Sequence, residues 1–184
     1  MPCFQRSKII ADIEFFVGDE RLEMKIKIGV LSDTHLRRVT RGFGDICDKF
    51  FSDVYAILHA GDFVSAEIVE FLSRKNFHGV HGNMDPAEVK GMLPGKKVIE
   101  LGHYRIGLIH GWGSPKSLEQ RISSEFHHTD VIVYGHSHLA ENQMKDGVLF
   151  FNPGTAAGHT PSGVHSIGIL ELDDTLHGEI IDIE

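Results

Sequence analysis

The sequence is poor in cysteine and contains no long hydrophobic run. Its two cysteines, Cys3 and Cys47, do not form a CxxC pair, which argues against both a disulfide framework and a thiolate metal site. No apolar run approaches the roughly 20 residues that a membrane-spanning helix needs. The first residues also lack the pattern of a secretory signal. These absences predict a cytoplasmic protein that does not contact membranes.

Positive charge is also scarce. The 18 Lys and Arg residues are outnumbered by 26 Asp and Glu residues, so the formal net charge is −8 at pH 7. Stable binding to nucleic acid relies on cationic contacts with phosphates, and it is therefore not expected. A small phosphate-bearing substrate is not excluded, because bound divalent cations would make the local charge more positive.

Histidine, by contrast, is abundant, with 13 in 184 residues. The segment VIVYGHSH, residues 131–138, places two of them directly after an apolar run that predicts a buried strand. Side chains two residues apart on extended chain point the same way, so His136 and His138 could reach one pocket. On its own, this short pair is better explained as part of a polar loop. A functional interpretation needs partners elsewhere in the chain.

Short apolar runs alternate with helical periodicity from Met24 onward. Strands are predicted at residues 26–31, 54–58, 77–80, 104–109, 131–134, 148–151, 166–172 and 177–183. Helices are predicted around residues 46–51, 68–72 and 118–126, the last two capped by Ser65 and Ser114. The sequences KDG and LDDTLHG predict hairpin turns. The pattern indicates one α/β domain over residues 24–184, and residues 1–23 are expected to be a loose N-terminal extension.

Candidate metal ligands follow the ends of five predicted strands. They are Asp33 and His35 in SDTH, Asp62 in HAGD, Asn83 and Asp85 in HGNMD, His110 in HGWG, and His136 and His138 in GHSH. Successive blocks are spaced by roughly one strand–helix return of about 30 residues. Sites in open α/β sheets lie beyond the carboxyl ends of the strands, so these loops should converge on one crevice. Each block alone has an ordinary explanation as a turn, but their regular order favours a shared site.

The ordered series GVLSDTH, HAGD, HGNMD, HG and GHSH, closing with FNPGT, resembles the calcineurin-like metallophosphoesterase superfamily. More narrowly, it resembles the small phosphodiesterases of the YfcE type, which are related to the retromer subunit Vps29. The resemblance extends from about Met24 to the C-terminus. It implies a four-layer α/β/β/α sandwich with a dinuclear metal centre at one end.

Position by position, the resemblance implies two divalent ions: one held by Asp33, His35 and His138, the other by Asn83, His110 and His136, and both bridged by Asp62. The implied activity is hydrolysis of a small phosphate ester, above all a phosphodiester, by a hydroxide that bridges the ions. Carboxylate, amide and imidazole ligands without thiolate suit manganese, iron, nickel or zinc, and manganese is taken as the first candidate.

One position departs from the pattern of the larger superfamily members, which have a histidine after the Gly-Asn pair. Met84 stands there in this chain, and a thioether cannot donate a proton. Asp85 becomes a candidate general acid, alongside Asp62 and Asn83 as predicted catalytic residues. Capping of the helix that follows Asp85 is an equally good explanation for that residue.

Several alternatives stay open at this point. Trp112 could line the substrate cleft, although packing in the core is the simpler expectation. The chain could also be a Vps29-like protein-binding scaffold with a vestigial metal site, although a scaffold has no chemical need of seven intact ligands. Assembly into a homo-oligomer is not decided by the sequence.

Overall fold

The computed structural model describes residues 25–183 and a short strand pair that precedes them, β1 (Phe16–Val17) and β2 (Glu20–Arg21). Apart from this pair, the predicted N-terminal extension over residues 1–23 lies outside the described residues. Within the described part of the chain, no helix has the length and apolar character needed to cross a membrane.

The first of two five-stranded sheets carries the first three predicted strands. Its strands are β3 (Ile26–Leu31), β4 (Ala56–His59), β5 (Phe77–Gly79), β11 (His165–Leu172) and β12 (Leu176–Ile183). They are ordered β12-β11-β3-β4-β5. Strands β3, β4 and β5 are parallel, whereas β11 is antiparallel to both β3 and β12.

The second sheet has the same mixed character. Its strands are β6 (Lys96–Leu101), β7 (Tyr104–Ile109), β8 (Val131–Val133), β9 (Glu141–Lys145) and β10 (Val148–Asn152). They are ordered β6-β7-β8-β10-β9. The three central strands are parallel, and the two edge strands are antiparallel to their neighbours.

In the described part of the chain, four helices cover the outer faces of the sheets. They are α1 (Arg41–Phe51), α2 (Ala66–Leu72), α3 (Ala87–Met92) and α4 (Leu118–Ser123). Side chains of α1, α2 and α3 share a core with the first sheet, and those of α4 share a core with the second. A third core fills the space between the sheets. The predicted four-layer α/β/β/α sandwich is confirmed.

The layers follow from the alternation of side chains along each strand. In β8 and the residue after it, Val131 and Val133 pack between the sheets, whereas Ile132 and Tyr134 pack on the α4 side. All four side chains are buried, which is why the segment is a continuous apolar run.

Within residues 25–183, the sequence patterns missed three elements and misplaced one helix start. Strand β9 is mostly polar, α3 buries Val89 as its one fully buried residue, and β6 alternates between exposed residues and the buried pair Ile99 and Leu101. Ser65 caps α2 as predicted, because its side chain accepts a hydrogen bond from the Glu67 N–H. The predicted cap Ser114 is wrong, since α4 begins only at Leu118, after a left-handed Ser117 with φ of 61°.

Candidate metal centre

The loops that follow β3, β4, β5, β7 and β8 meet at one end of the sandwich. Backbone hydrogen bonds connect them in pairs: the Asp33 N–H donates to the Gly61 carbonyl at 2.9 Å, and the Gly135 N–H donates to the His110 carbonyl at 3.2 Å. The two sheets are joined where the His136 N–H donates to Asp33 Oδ2 at 3.0 Å. Seven predicted ligand residues thereby come together.

Three of these residues form a first cluster. His138 Nε2 lies 3.2 Å from Asp33 Oδ1 and 3.3 Å from His35 Nε2. The other Asp33 oxygen, Oδ2, accepts hydrogen bonds from the Ser32 hydroxyl at 2.6 Å and from the His136 N–H. Asp33 is fully buried. One carboxylate oxygen is thus anchored, and the other faces the two imidazoles as a metal ligand would.

A second cluster is centred on the amide oxygen of Asn83. Asn83 Oδ1 lies 3.1 Å from His110 Nε2 and 3.0 Å from His136 Nδ1. The pair His136 and His138 therefore divides between the two clusters. Both residues have left-handed backbone, with φ of 69° and 58°, so the expectation that they project from extended chain is wrong.

Asp62 lies between the two clusters. Its Oδ2 atom is 3.3 Å from His110 Nε2, in the second cluster, and 3.8 Å from His35 Nε2, in the first. Its Oδ1 atom accepts a hydrogen bond from the Met84 N–H at 2.8 Å. The side chain is buried. This is the position that a carboxylate bridging two ions must occupy.

Backbone carbonyls orient three of the four imidazoles. His110 Nδ1 lies 2.8 Å from the Ala60 oxygen, and His136 Nε2 lies 2.7 Å from the Gly113 oxygen. His138 Nδ1 contacts the His159 oxygen in the same way. A carbonyl only accepts, so each of these ring nitrogens carries the hydrogen, and the opposite nitrogen of a neutral ring offers its lone pair to the centre.

This arrangement fits cations. When the rings are neutral, His110 Nε2 and His136 Nδ1 carry lone pairs and lie next to the Asn83 oxygen, which is also an acceptor. No hydrogen lies between these three atoms, and a positive ion would interact favourably with all of them. Geometry alone also groups Asp33, His35 and His138 as residues able to hold one ion. The donor set contains oxygen and imidazole nitrogen, which suits divalent transition metals.

Strained backbone is concentrated in these loops. Nine non-glycine residues among those described have positive φ, and five of them are predicted ligands: Asp33, His35, Asp62, His136 and His138. Left-handed backbone is uncommon for residues with a side chain, although Asp and His tolerate it better than most. Such strain clusters where surrounding structure or a ligand compensates for it.

The centre also shifts the pKa values of its members. Burial would raise the pKa of Asp62, but hydrogen bonds from a protonated His110 ring and from the Met84 N–H outweigh burial and lower it. Burial would lower the pKa of His110, but the Asp62 and Asp33 carboxylates together outweigh this and raise it. The hydrogen bond with Asp33 raises the pKa of His138 to about 9. The clustered carboxylates therefore attract positive charge.

Comparison with known proteins places the chain in a family. Residues 26–175 match the calcineurin-like phosphoesterase superfamily domain. The chain belongs to this superfamily. It is 32% identical over 162 residues to the probable metallophosphoesterase MJ0623 of Methanocaldococcus jannaschii, covering 85% of this chain and 81% of that protein. It is 28% identical over 174 residues to the phosphodiesterase MJ0936 of the same organism, covering 85% and 99%.

Solved structures agree with this superfamily assignment. The vacuolar protein sorting 29 structure from Cryptosporidium parvum superposes with a TM-score of 0.67 at 26% identity, covering 87% of this chain and 98% of that chain. Membership in the metallophosphoesterases implies divalent metal ions. Two groups in this chain have ligand atoms close enough together to hold an ion: Asp33, His35 and His138, and Asp33, Asp62 and His110.

Asp85 holds the loop that carries Asp62 in the candidate metal centre. Its Oδ2 atom accepts from the N–H groups of Asp62 at 3.0 Å and Gly82 at 2.8 Å, and its Oδ1 atom accepts from Val64 N–H at 2.8 Å. The predicted alternative of helix capping is wrong, because α3 has Pro86 at its cap position and no side-chain cap. The carboxylate is 3% exposed, and its geometry gives the predicted general-acid role no support.

His59 and the turn at Asn152–Thr155 make hydrogen bonds to the loops that carry the candidate ligands. His59 is fully buried and stacks on Phe63, and burial holds its pKa well below the ordinary value. Its Nδ1 atom accepts from Gly61 N–H at 3.1 Å, so Nε2 donates to the Thr34 hydroxyl at 2.5 Å. In the turn, the Thr155 hydroxyl donates to the Asp33 carbonyl at 2.6 Å. The feature of the sequence that could have indicated this supporting role is the position of His59 in HAGD, three residues before Asp62.

The core position expected for Trp112 is wrong. The residue is 44% exposed and lines a cavity that adjoins Asn83 and His110. The fold instead allows the predicted alternative, a position in the substrate cleft. The chain leaves the sheet at Gly111, where φ is 95°, so Trp112 follows in a loop.

Proposed function

We propose that this superfamily member is a metal-dependent phosphodiesterase that acts on a small phosphate ester. The observation that carries the proposal is the position of Asp62, whose Oδ2 atom faces His110 of one cluster and His35 of the other. A carboxylate shared by two groups of ligands is the arrangement needed to hold two divalent ions side by side. The relative named as a phosphodiesterase supports the same activity.

Asp33, His35 and His138 would hold one ion, Asn83, His110 and His136 the other, and Asp62 both. When bound, the two ions supply a hydroxide nucleophile at neutral pH and positive charge for the phosphoryl oxygens. Manganese is the proposed metal, with nickel, iron and zinc as alternatives that the same oxygen and nitrogen donors accept.

Other groups of the chain hold the candidate ligand side chains in fixed orientations. Backbone carbonyls fix the rings of His110, His136 and His138, so that the inward nitrogens need no reorganisation when an ion binds. The Met84 N–H fixes one oxygen of Asp62. The Met84 side chain is 59% exposed and has no proton to give, so the leaving oxygen departs without help from this position.

Activity assays on demetallated protein test the proposal. Hydrolysis of bis(p-nitrophenyl) phosphate should be absent after chelation and should return when manganese, nickel, iron or zinc is added separately. Asp62→Asn should remove the restored activity, whereas the control Asp53→Asn should keep it, because Asp53 is an exposed residue paired with Lys27. Full hydrolysis in the presence of chelator would refute the proposal.

A binding scaffold is the second candidate function, and the likeness to vacuolar protein sorting 29 supports it. The convergence of all seven candidate ligands favours the enzyme, because a scaffold has no chemical need of a complete centre. Metal binding without hydrolysis of any phosphate ester would favour the scaffold. The cytoplasmic location, the lack of nucleic-acid binding and any homo-oligomer stay predictions from the sequence.

A further inference from the structure

A cavity of about 560 Å³ opens beside the second ligand cluster. Asn83 and His110 form the wall nearest the candidate ions, and His81, Lys90, Trp112 and Glu125 are among the residues that line the rest. A group attached to a phosphorus atom at the centre would therefore extend into this space. The cavity is large enough for a flat ring and a sugar.

Trp112 provides an apolar ring at the cavity wall. It is the single tryptophan of the chain, and its 44% exposure leaves a large apolar surface in contact with water. Stacking of this ring on a flat partner in the cavity would remove its apolar surface from water.

The loop that carries Trp112 is held in place. Arg121 donates from Nε and Nη2 to the Trp112 carbonyl at 3.2 Å and 2.8 Å. The next carbonyl, that of Gly113, accepts from the His136 ring at 2.7 Å. The backbone of the ring-bearing residue is thus connected to helix α4 on one side and to a candidate ligand on the other, so its position is coupled to the centre.

The charges around the cavity are largely paired. Lys96, at its edge, binds Glu125 with its Nζ atom 2.6 Å from Oε2. Lys90 Nζ lies 3.3 Å from the Asn83 carbonyl, which leaves its positive charge without a carboxylate partner among the described contacts. An occupant with a neutral ring and a negatively charged phosphate suits these walls better than a cationic one.

We propose that the cavity binds a flat aromatic group of the phosphate ester, a nucleobase or an aryl ring, stacked on Trp112. This inference rests on the proposed phosphoesterase function and adds the substrate class. Stacking of a base on an aromatic side chain typically changes affinity by tenfold or more.

Tryptophan fluorescence, excited selectively over tyrosine, tests the proposal directly on the metal-loaded wild-type protein, since Trp112 is the single tryptophan. The probes are AMP, phenyl phosphate, ribose 5-phosphate and inorganic phosphate. AMP or phenyl phosphate should quench the emission and bind about tenfold more tightly than ribose 5-phosphate. Quenching by AMP alone would identify a nucleobase as the ring, and quenching by phenyl phosphate alone would identify an aryl group close to phosphorus.

Variants followed by calorimetry complete the test. Trp112→Ala should abolish the tenfold preference for the aromatic probes, Trp112→Phe should retain part of it, and the control Tyr55→Ala should retain all of it. Tyr55 is also exposed, but it precedes β4 at the end of the sheet away from the centre. Equal binding of AMP, phenyl phosphate and ribose 5-phosphate would overturn the cavity proposal alone. Failure of all phosphates to bind would overturn the phosphoesterase function as well.

Discussion

The carboxylate of Asp85 is hydrogen-bonded to the backbone of Asp62, with 3.0 Å between Asp85 Oδ2 and Asp62 N. The same side chain accepts from two further backbone N–H groups, those of Gly82 and Val64. A residue that the sequence offered as a proton donor therefore connects the loop after β4 to the loop after β5. Its contribution is to hold Asp62 at the centre.

Asp85→Asn should weaken this connection, because an amide NH₂ group would face backbone N–H donors. We expect the free energy of unfolding to fall by about 1–3 kcal/mol, and metal affinity to fall with it. Chemical denaturation and metal titration measure the two effects, with the exposed Asp53→Asn as control. Aryl and alkyl esters should lose activity by the same factor. A selective loss on alkyl esters would instead restore Asp85 as the general acid.

The metal content of purified variants can show whether Asp62 binds both ions and Asp33 only one. Asp62→Asn should lower the occupancy of both ions, because Asp62 Oδ2 faces both clusters, whereas Asp33→Asn should lower mainly one. Elemental analysis of the purified variants measures the ratio. Asp45→Asn on the surface of α1 is the matched control. Two ions per chain in Asp62→Asn would show that this residue does not bridge.

Gly82 has no room for a side chain. A Cβ atom there would overlap Asp62 Oδ1 and lie 2.7 Å from Asp62 N. Gly82→Ala should therefore displace the Asp62 loop and reduce both thermal stability and metal content. Gly91, in α3, has nothing within 4 Å of its Cβ position, so Gly91→Ala should stabilise the fold by about 0.5–1 kcal/mol. Equal melting temperatures for the two variants would contradict the predicted clash.

Metal binding should release protons near neutral pH. In the metal-free protein the pKa of His138 is raised to about 9 by Asp33, so the ring is protonated at pH values below that, yet ligation needs the neutral form. Apparent metal affinity should consequently rise with pH until about 9. Calorimetry in buffers of different ionisation enthalpy counts the protons. His138→Ala should reduce the count, and the exposed His103→Ala should not; an unchanged count in His138→Ala would contradict the assignment.

Because Met84 cannot donate a proton, we expect kcat/KM to depend steeply on the pKa of the leaving group. General acid help is typically worth about 10²–10⁴-fold, and without it aryl esters should be cleaved much faster than alkyl esters. A plot of log kcat/KM against leaving-group pKa measures the slope. Met84→His should flatten it if the new ring reaches the leaving oxygen. A flat plot in the wild type, with chemistry rate-limiting, would mean that another residue supplies the proton.

Much of the fold could be predicted because burial leaves a local pattern. Strand β8 is a continuous apolar run, and β3 and β7 each end in four consecutive buried apolar residues, since both faces of the sheet are covered there. The hairpin turn at KDG could also be predicted from a local pattern. Asp146 and Gly147 adopt the positive φ values, 51° and 81°, that such a turn requires. Strand β9 is an edge strand with little buried surface, so its sequence carried no comparable signal.

The sequence by itself determined which residue types follow each strand, and parallel strands then bring those loops to one end of a sheet. Only the tertiary structure decided what each side chain contacts there. His136 reaches Asn83 while His138 reaches Asp33, Asp85 binds three backbone N–H groups, and Trp112 faces a cavity. These contacts join residues far apart in the chain, and their partners are set by how the two sheets pack, which no local periodicity encodes.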